Sequence, residues 1–335
     1  MPSKELTDFS DDELYEELRA RDGKPESPSP NPELARFSFR DLLRALNIYD
    51  QVVYGEDNRV DLYEVHDPEV LHVARGVCAI FLHDTVEKID DKNFRLKTTR
   101  FSEVIMTDCF GNSGKICKNE RFNNQPCGAI GTAFLIAPDI VATAGHCVAH
   151  KNASRDMLYV KKLRFVFGYQ MKNKDTHTSQ VARSDLYSGH TLLGRSYDAQ
   201  DNDVPDWALI RLDRPVTGRT PLEIRTSEII DDAEIVYVLG YPYGLPLKYS
   251  PKAWVRDNDH PIYFTTNTDT FQGNSGSPVF NACTNEVEGI LVRGEQDFTF
   301  KPSSKCFRVR ALDDTSGEGE ACTRIVLLHN ILTSD

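Results

Sequence analysis

The stretch from Thr268 to Phe280, Thr-Asp-Thr-Phe-Gln-Gly-Asn-Ser-Gly-Ser-Pro-Val-Phe, constrains this chain more than any other. Ser275 lies between Gly273 and Gly276, and the apolar run Pro278-Val279-Phe280 follows almost at once. A glycine turn feeding a strand holds a hydroxyl at a bend with little side-chain bulk around it. A serine hydroxyl is a weak nucleophile on its own. It needs a base to take its proton, a carboxylate to orient that base, and backbone N–H groups aimed at the developing oxyanion.

Two other stretches supply such partners. Thr132 to Ala137 is apolar, Pro138-Asp139 reads as a turn, and Ile140-Val141-Ala142 leads into Thr143-Ala144-Gly145-His146-Cys147, a hairpin that ends on a histidine. Asp206 stands at the mouth of the half-buried strand pattern Trp207 to Leu212, which selects it over nearby Asp201 and Asp203. His146, Asp206 and Ser275 are far apart in sequence, so only a tertiary fold can gather them. An α/β-hydrolase elbow fits worse, because it needs Gly-x-Ser-x-Gly with the serine first, whereas position 277 is serine and Ser275 comes last. A second Gly-Asn-Ser-Gly, Gly111 to Gly114, has no apolar strand after it and reads as a loop.

Ala144-Gly145-His146-Cys147, Asp206-Trp207-Ala208-Leu209-Ile210 and Gly273-Asn274-Ser275-Gly276-Ser277-Pro278, in that order, resemble the chymotrypsin/trypsin family of serine proteases. The Asn274 and Ser277 variants are most similar to the bacterial branch that includes the glutamyl endopeptidases. The resemblance spans about residues 125–333. It implies an all-β fold of two six-stranded antiparallel β-barrels closed by a short C-terminal helix, with His146 and Asp206 from the first barrel and Ser275 from the second. Short strand patterns separated by turn residues recur from 128 onward and agree with an all-β body.

The same resemblance implies a serine endopeptidase acting on protein or peptide substrates through an acyl-enzyme, with the N–H groups of Gly273 and Ser275 as the oxyanion hole and no metal or cofactor. It places Asp269, six residues before Ser275, at the base of the specificity pocket, where a carboxylate favours Lys or Arg before the scissile bond. Thr270 meets one condition of the glutamyl alternative, but Leu291 stands where that branch has histidine, and Arg293 where the family often has tryptophan. A catalytically silent fold serving as a regulatory binding protein is a further alternative. Asn274 carries no charge to pair with a newly cut N-terminal ammonium, so activation by that ion pair is not expected.

Composition sets the remaining limits. A net charge of −12 argues against nucleic acid as the main partner. No apolar run approaches 18 residues, so no membrane span is expected, and the polar start of the chain leads to a cytoplasmic expectation, or a secreted one if a leader has been removed. The order suggests an N-terminal extension over 1–70 and a protease domain over 71–335. The extension reads as a capped acidic helix over 11–21, a proline-serine linker over 23–32 and a second helix over 38–47, with a regulatory partner as one use of those helices. Residues 52–65 resemble a Tyr-Gly-x-Asp-x-Arg lead-in found ahead of related bacterial catalytic domains, and Val73 to Leu82 reads as the first barrel strand. Of the eight cysteines, Cys306 and Cys322 are the first expectation for a bridge. Gly131 stands where many family members have the partner of Cys147, leaving Cys147 unpaired with Cys127 as the nearest candidate.

Overall fold

The computed structural model describes residues 9, 13, 14, 17, 31–37, 53–54, 57–108, 110–148, 159–199, 201, 203–294, 297–313 and 316–332. The helices expected over 11–21 and 38–47 and the linker over 23–32 lie almost wholly outside them.

Twelve strands make two barrels. The first is built from β1 (Val77–Leu82), β2 (Gly131–Ala137), β3 (Ile140–Thr143), β4 (Leu163–Phe167), β5 (Leu186–Ser196) and β6 (Trp207–Leu212), closed in the order β2-β3-β6-β5-β4-β1. The second contains β7 (Ile235–Gly240), β8 (Lys248–Asp257), β9 (Tyr263–Thr266), β10 (Pro278–Asn281), β11 (Val287–Arg293) and β12 (Glu320–Arg324), in the order β7-β10-β11-β12-β9-β8, and pairing of β7 with β8 closes it. All neighbours within each barrel are antiparallel.

Several of these strands are apolar on both faces, and the packing explains why. Side chains alternate across a strand. In β1, Cys78 and Ile80 fill the first barrel, whereas Val77, Ala79 and Phe81 join a core shared with Tyr237, Leu239, Ile290 and Val292 of the second. In β7 the partition is the same, with Val236 and Val238 inside the second barrel and Tyr237 and Leu239 in the shared core. A strand buried on both faces reads as a continuous apolar run.

Departures from the expected elements have local causes. Pro68–Ala74 is helical (α1), with Asp67 as cap accepting from the N–H of Glu69 at 2.9 Å, so β1 starts at Val77 instead of 73. Strand β8 was hidden by its polar residues and Pro251. A bulge resolves the problem: Lys252 adopts φ +64° and the register moves from Val236 opposite Ala253 to Val238 opposite Ser250. The C-terminal strand spans Glu320–Arg324, earlier than the expected 323–328, and α2 (Val326–Leu332) follows as expected.

Residues 53–54 and 60–61, grouped with the extension by sequence, pair directly with the body. Val60–Asp61 adds to the edge of β8, and Val53–Tyr54 lies parallel to Ala311–Leu312. The Lys248 ammonium donates to Asp61 Oδ1 at 2.5 Å, Gln125 Oε1 at 2.7 Å and the Pro246 carbonyl at 3.0 Å. Burial pushes this ammonium down to about 8, opposed by the Asp61 charge.

A small sheet of Ile105–Thr107, Ser113–Ile116, Phe298–Lys301 and Cys306–Val309 flanks the second barrel, and a disulfide joins Cys117 to Cys306 across it. The expected Cys306–Cys322 bridge is thereby corrected: Cys306 sits on the small sheet, while Cys322 is buried inside the second barrel among Phe264, Val279 and Leu291. Cys127 and Cys147 are both free thiols. No helix among the described residues is long and apolar enough to cross a membrane.

Because the bridge closes a sequence separation of 189 residues, it removes many conformations from the unfolded chain. A Cys117→Ser, Cys306→Ser double variant should lose about 2–4 kcal/mol of stability in denaturant titrations. An unchanged midpoint under non-reducing conditions would contradict the pairing.

Candidate active site

His146 sits in a single 3-10 turn, Gly145–Val148, at the end of β3. A side chain at 145 would place its Cβ 2.2 Å from the Ser196 carbonyl and 2.8 Å from that of Trp207, so only glycine lets this turn press against the ends of β5 and β6. Asp206 immediately precedes β6 and is buried. Its Oδ1 accepts the His146 backbone N–H at 3.1 Å, and its Oδ2 lies 2.7 Å from Nδ1 of the same residue. An ionised carboxylate can only accept, so Nδ1 carries a proton, and Nε2 bears a lone pair whenever the imidazole is neutral. Asp203 is engaged elsewhere, 3.1 Å from Nε2 of His260.

Burial pulls the His146 imidazole down, but the Asp206 charge, the neighbouring Cys147 and the hydrogen bond to Asp206 outweigh it and hold the imidazole well above 6.5. The Tyr197 ring packs against the imidazole with centroids 5.9 Å apart. Nothing in the sequence around Tyr197 marks it as a neighbour of His146.

Ser275 lies in a turn whose shape is set by two glycines, Gly273 at φ +96° and Gly276 at φ +86°. A Cβ on Gly276 would come 2.1 Å from the Thr132 carbonyl, and one on Gly273 would come 2.8 Å from the Tyr241 carbonyl. Thr132 of the first barrel donates its N–H to the Ser275 carbonyl at 3.0 Å and its hydroxyl to the Gly273 carbonyl at 2.9 Å. The Cys147 thiol also points at the Ser275 carbonyl, 3.6 Å away. The turn is therefore seated directly against the residue that follows His146. Within the turn, Asn274 N–H donates to Phe271 O, Ser277 N–H to Asn274 O and Gly276 N–H to Leu291 O. The N–H groups of Gly273 and Ser275 meet no acceptor among the described residues. Buried Asn274 accepts from the Ser277 hydroxyl at 3.4 Å, and a Cβ on Gly240 would run into both side chains.

The residues expected to line a specificity pocket are arranged differently. Asp269 is buried, and its two oxygens accept from the backbone N–H groups of Tyr54 at 2.7 Å and Asn58 at 2.9 Å. Burial raises its carboxyl to about 6, while those two donors and Arg59 oppose the rise. With both oxygens turned to the lead-in, Asp269 does not serve as an open pocket floor. Leu291 is buried in the core of the second barrel. Arg293 packs its guanidinium over the Tyr263 ring, 5.5 Å from the centroid.

Thr270 donates its hydroxyl to Glu320 Oε2 at 2.7 Å. Glu320 is fully buried, and a Cβ on Gly294 would lie 2.1 Å from both carboxylate oxygens. Position 320 falls outside the strand expected over 323–328, so the sequence alone does not single this carboxylate out. No cluster of three metal-ligating side chains occurs among the described residues.

The imidazole is open to a direct check. An NMR titration should give His146 a midpoint above 6.5 that drops in Asp206→Asn, where burial acts without the opposing charge. A midpoint at or below 6.5 in both proteins would refute the pairing.

Residues 131–290, from β2 into β11, match the family described as trypsin-like peptidase domain. A probable serine protease of Lysobacter enzymogenes is 28% identical over 127 residues, 34% of this chain and 20% of the relative, so the chain covers about a fifth of that protein's length. Among solved structures, a Glu endopeptidase in complex with MPD aligns with a TM-score of 0.46 at 17% identity, covering 85% of this chain and 100% of the other. The VesB protease of Vibrio cholerae aligns with a TM-score of 0.45 at 10% identity, covering 83% of this chain and 66% of the other. Residues 131–290, which hold the Asp206–His146 pair and the glycine-framed Ser275, are thus similar to trypsin-like peptidase domains and lie within a body of two closed barrels.

Proposed function

We propose that this protein is a serine endopeptidase in which Ser275 is the nucleophile, His146 the general base and acid, and Asp206 the group that orients the imidazole. The observation that carries this reading is the double grip of Asp206 on the His146 N–H and Nδ1, beside a serine turn with two amides that meet no acceptor among the described residues. Ser275 Oγ attacks the scissile carbonyl carbon while Nε2 of His146 takes the hydroxyl proton, and the carbonyl oxygen becomes an oxyanion held by the Gly273 and Ser275 N–H groups. The C–N bond then breaks as His146 passes that proton to the leaving amine. Water repeats the sequence on the acyl-enzyme and restores the serine. Asp206 stays ionised throughout and balances the imidazolium.

The preference for Lys or Arg before the scissile bond is retained here, carried by Glu320 in place of Asp269. Its support is a fully buried carboxylate that receives the Thr270 hydroxyl, with Gly294 packed so close that a Cβ there would lie 2.1 Å from both of its oxygens. The same contact weakens a glutamyl preference, because the Thr270 proton is already committed and a buried carboxylate disfavours a second one.

Fluorophosphonate labelling and peptide hydrolysis should fall by about 10⁴-fold or more in Ser275→Ala and in His146→Ala. No labelling of the wild-type protein would instead favour a silent binding role. In a peptide library, cleavage should follow Lys or Arg, and Glu320→Gln should reduce that preference roughly ten- to a hundredfold. Cleavage mainly after Glu would overturn the assignment.

A further inference from the structure

Both carboxylate oxygens of Asp269 are tied to backbone far away in the chain. Its donors, Tyr54 and Asn58, lie 215 and 211 residues earlier in the chain. Next to them, Arg59 is almost completely buried. It makes a bidentate pair with Asp57, with Nε and Nη2 at 2.9 and 2.8 Å from the carboxylate oxygens, and its guanidinium lies 3.6 Å from the centroid of the Phe271 ring. Arg121 fixes the same turn from outside, donating to the carbonyls of Asp57 at 2.5 Å and Arg59 at 2.6 Å. The lead-in thus grips positions 269 and 271. From the other side, Phe271 packs on Phe298 with centroids 4.9 Å apart, and the Gln272 N–H donates to Asp297 Oδ2 at 2.8 Å.

These ties end where they are most needed. Gly273 follows directly, and glycine has little conformational preference of its own. The Gly273 N–H shares a peptide plane with the Gln272 carbonyl, which accepts from the Tyr243 N–H, so its direction is set by that bond together with the residues that place Gln272. A buried carboxylate held by two backbone donors is a rigid anchor for that purpose.

We propose that Asp269 is a positioning residue. Through it, the lead-in residues Tyr54 and Asn58, with Arg59 on Phe271, hold the oxyanion turn in its working shape. The proposal rests on the serine-protease reading and adds to it the element that orders the oxyanion donors. Asp269 touches no substrate in this role and acts through Phe271 and Gln272 on Gly273.

The test compares the full-length protein with Asp269→Asn, which keeps the shape but replaces one acceptor by a donor, and with Arg121→Gln, a change at a partly exposed side chain that leaves the core intact. Fluorophosphonate labelling rates, kcat and KM for a peptide amide, inhibition by a peptide boronate that forms a tetrahedral adduct, and thermal midpoints are measured together. Asp269→Asn should label about ten- to a hundredfold more slowly, with kcat and boronate affinity falling in step and KM shifting less than about threefold. Arg121→Gln should move the same quantities in the same direction by about two- to fivefold while melting as a folded protein. Wild-type labelling rates and boronate affinity in both variants would overturn the positioning role. So would a rise in KM with kcat unchanged, which would make Asp269 a substrate-binding carboxylate. Failure of the wild-type protein to label at all, with Ser275→Ala indistinguishable from it, would instead remove the protease reading on which the role depends.

Discussion

Thr132 is the point through which the two barrels are held in working register. Its N–H and hydroxyl donate to the carbonyls of Ser275 and Gly273, its own carbonyl accepts from the Thr143 hydroxyl, and the Tyr241 N–H donates to its Oγ1 at 3.1 Å. One fully buried residue therefore joins β2, β3, the approach from β7 and the serine turn. In a dry interior such a satisfied network is rigid, and a missing partner is costly. Asp206 adds a second crossing, because its N–H donates to Thr323 on β12 while its carboxylate holds His146.

Around these crossings, the strands act as a two-sided scaffold. Alternate residues fill each barrel and the layer between them, so a shift of one strand by one residue would exchange the two cores. Register is consequently fixed on both faces, and the positions of Thr143, Asp206 and Gly276 follow from it. The lead-in and the small disulfide-linked sheet extend the same logic to the serine loop. Phe271 belongs to a separate cluster with Val53, Phe101, Leu245, Phe298 and Phe307, outside both barrels.

What could be read from sequence was what local chemistry determines. Gly145 and His146, Asp206 with its strand, and the glycine turn at 275 each sit in short patterns whose spacing is fixed by nearby backbone, and the barrel strands follow their apolar runs. What escaped depends on partners distant in the chain. Asp269 is defined by the amides of Tyr54 and Asn58, and Cys306 by Cys117. Glu320 depends on Thr270 and on the absence of a side chain at 294. Strand β8 was obscured for a related reason: Lys248 is buried only because Asp61, Gln125 and Pro246 receive its ammonium. Without those partners in view, a lysine beside a proline reads as exposed loop.

The central claim is covalent, and it can be tested by trapping the intermediate. The protein is mixed with a peptide ester, quenched in acid within one turnover, digested, and its peptides weighed by mass spectrometry. The account predicts an acyl adduct on the peptide containing Ser275, at its hydroxyl. An adduct on Cys147, whose thiol lies against the same turn, or turnover of the ester with no adduct at Ser275, would contradict it.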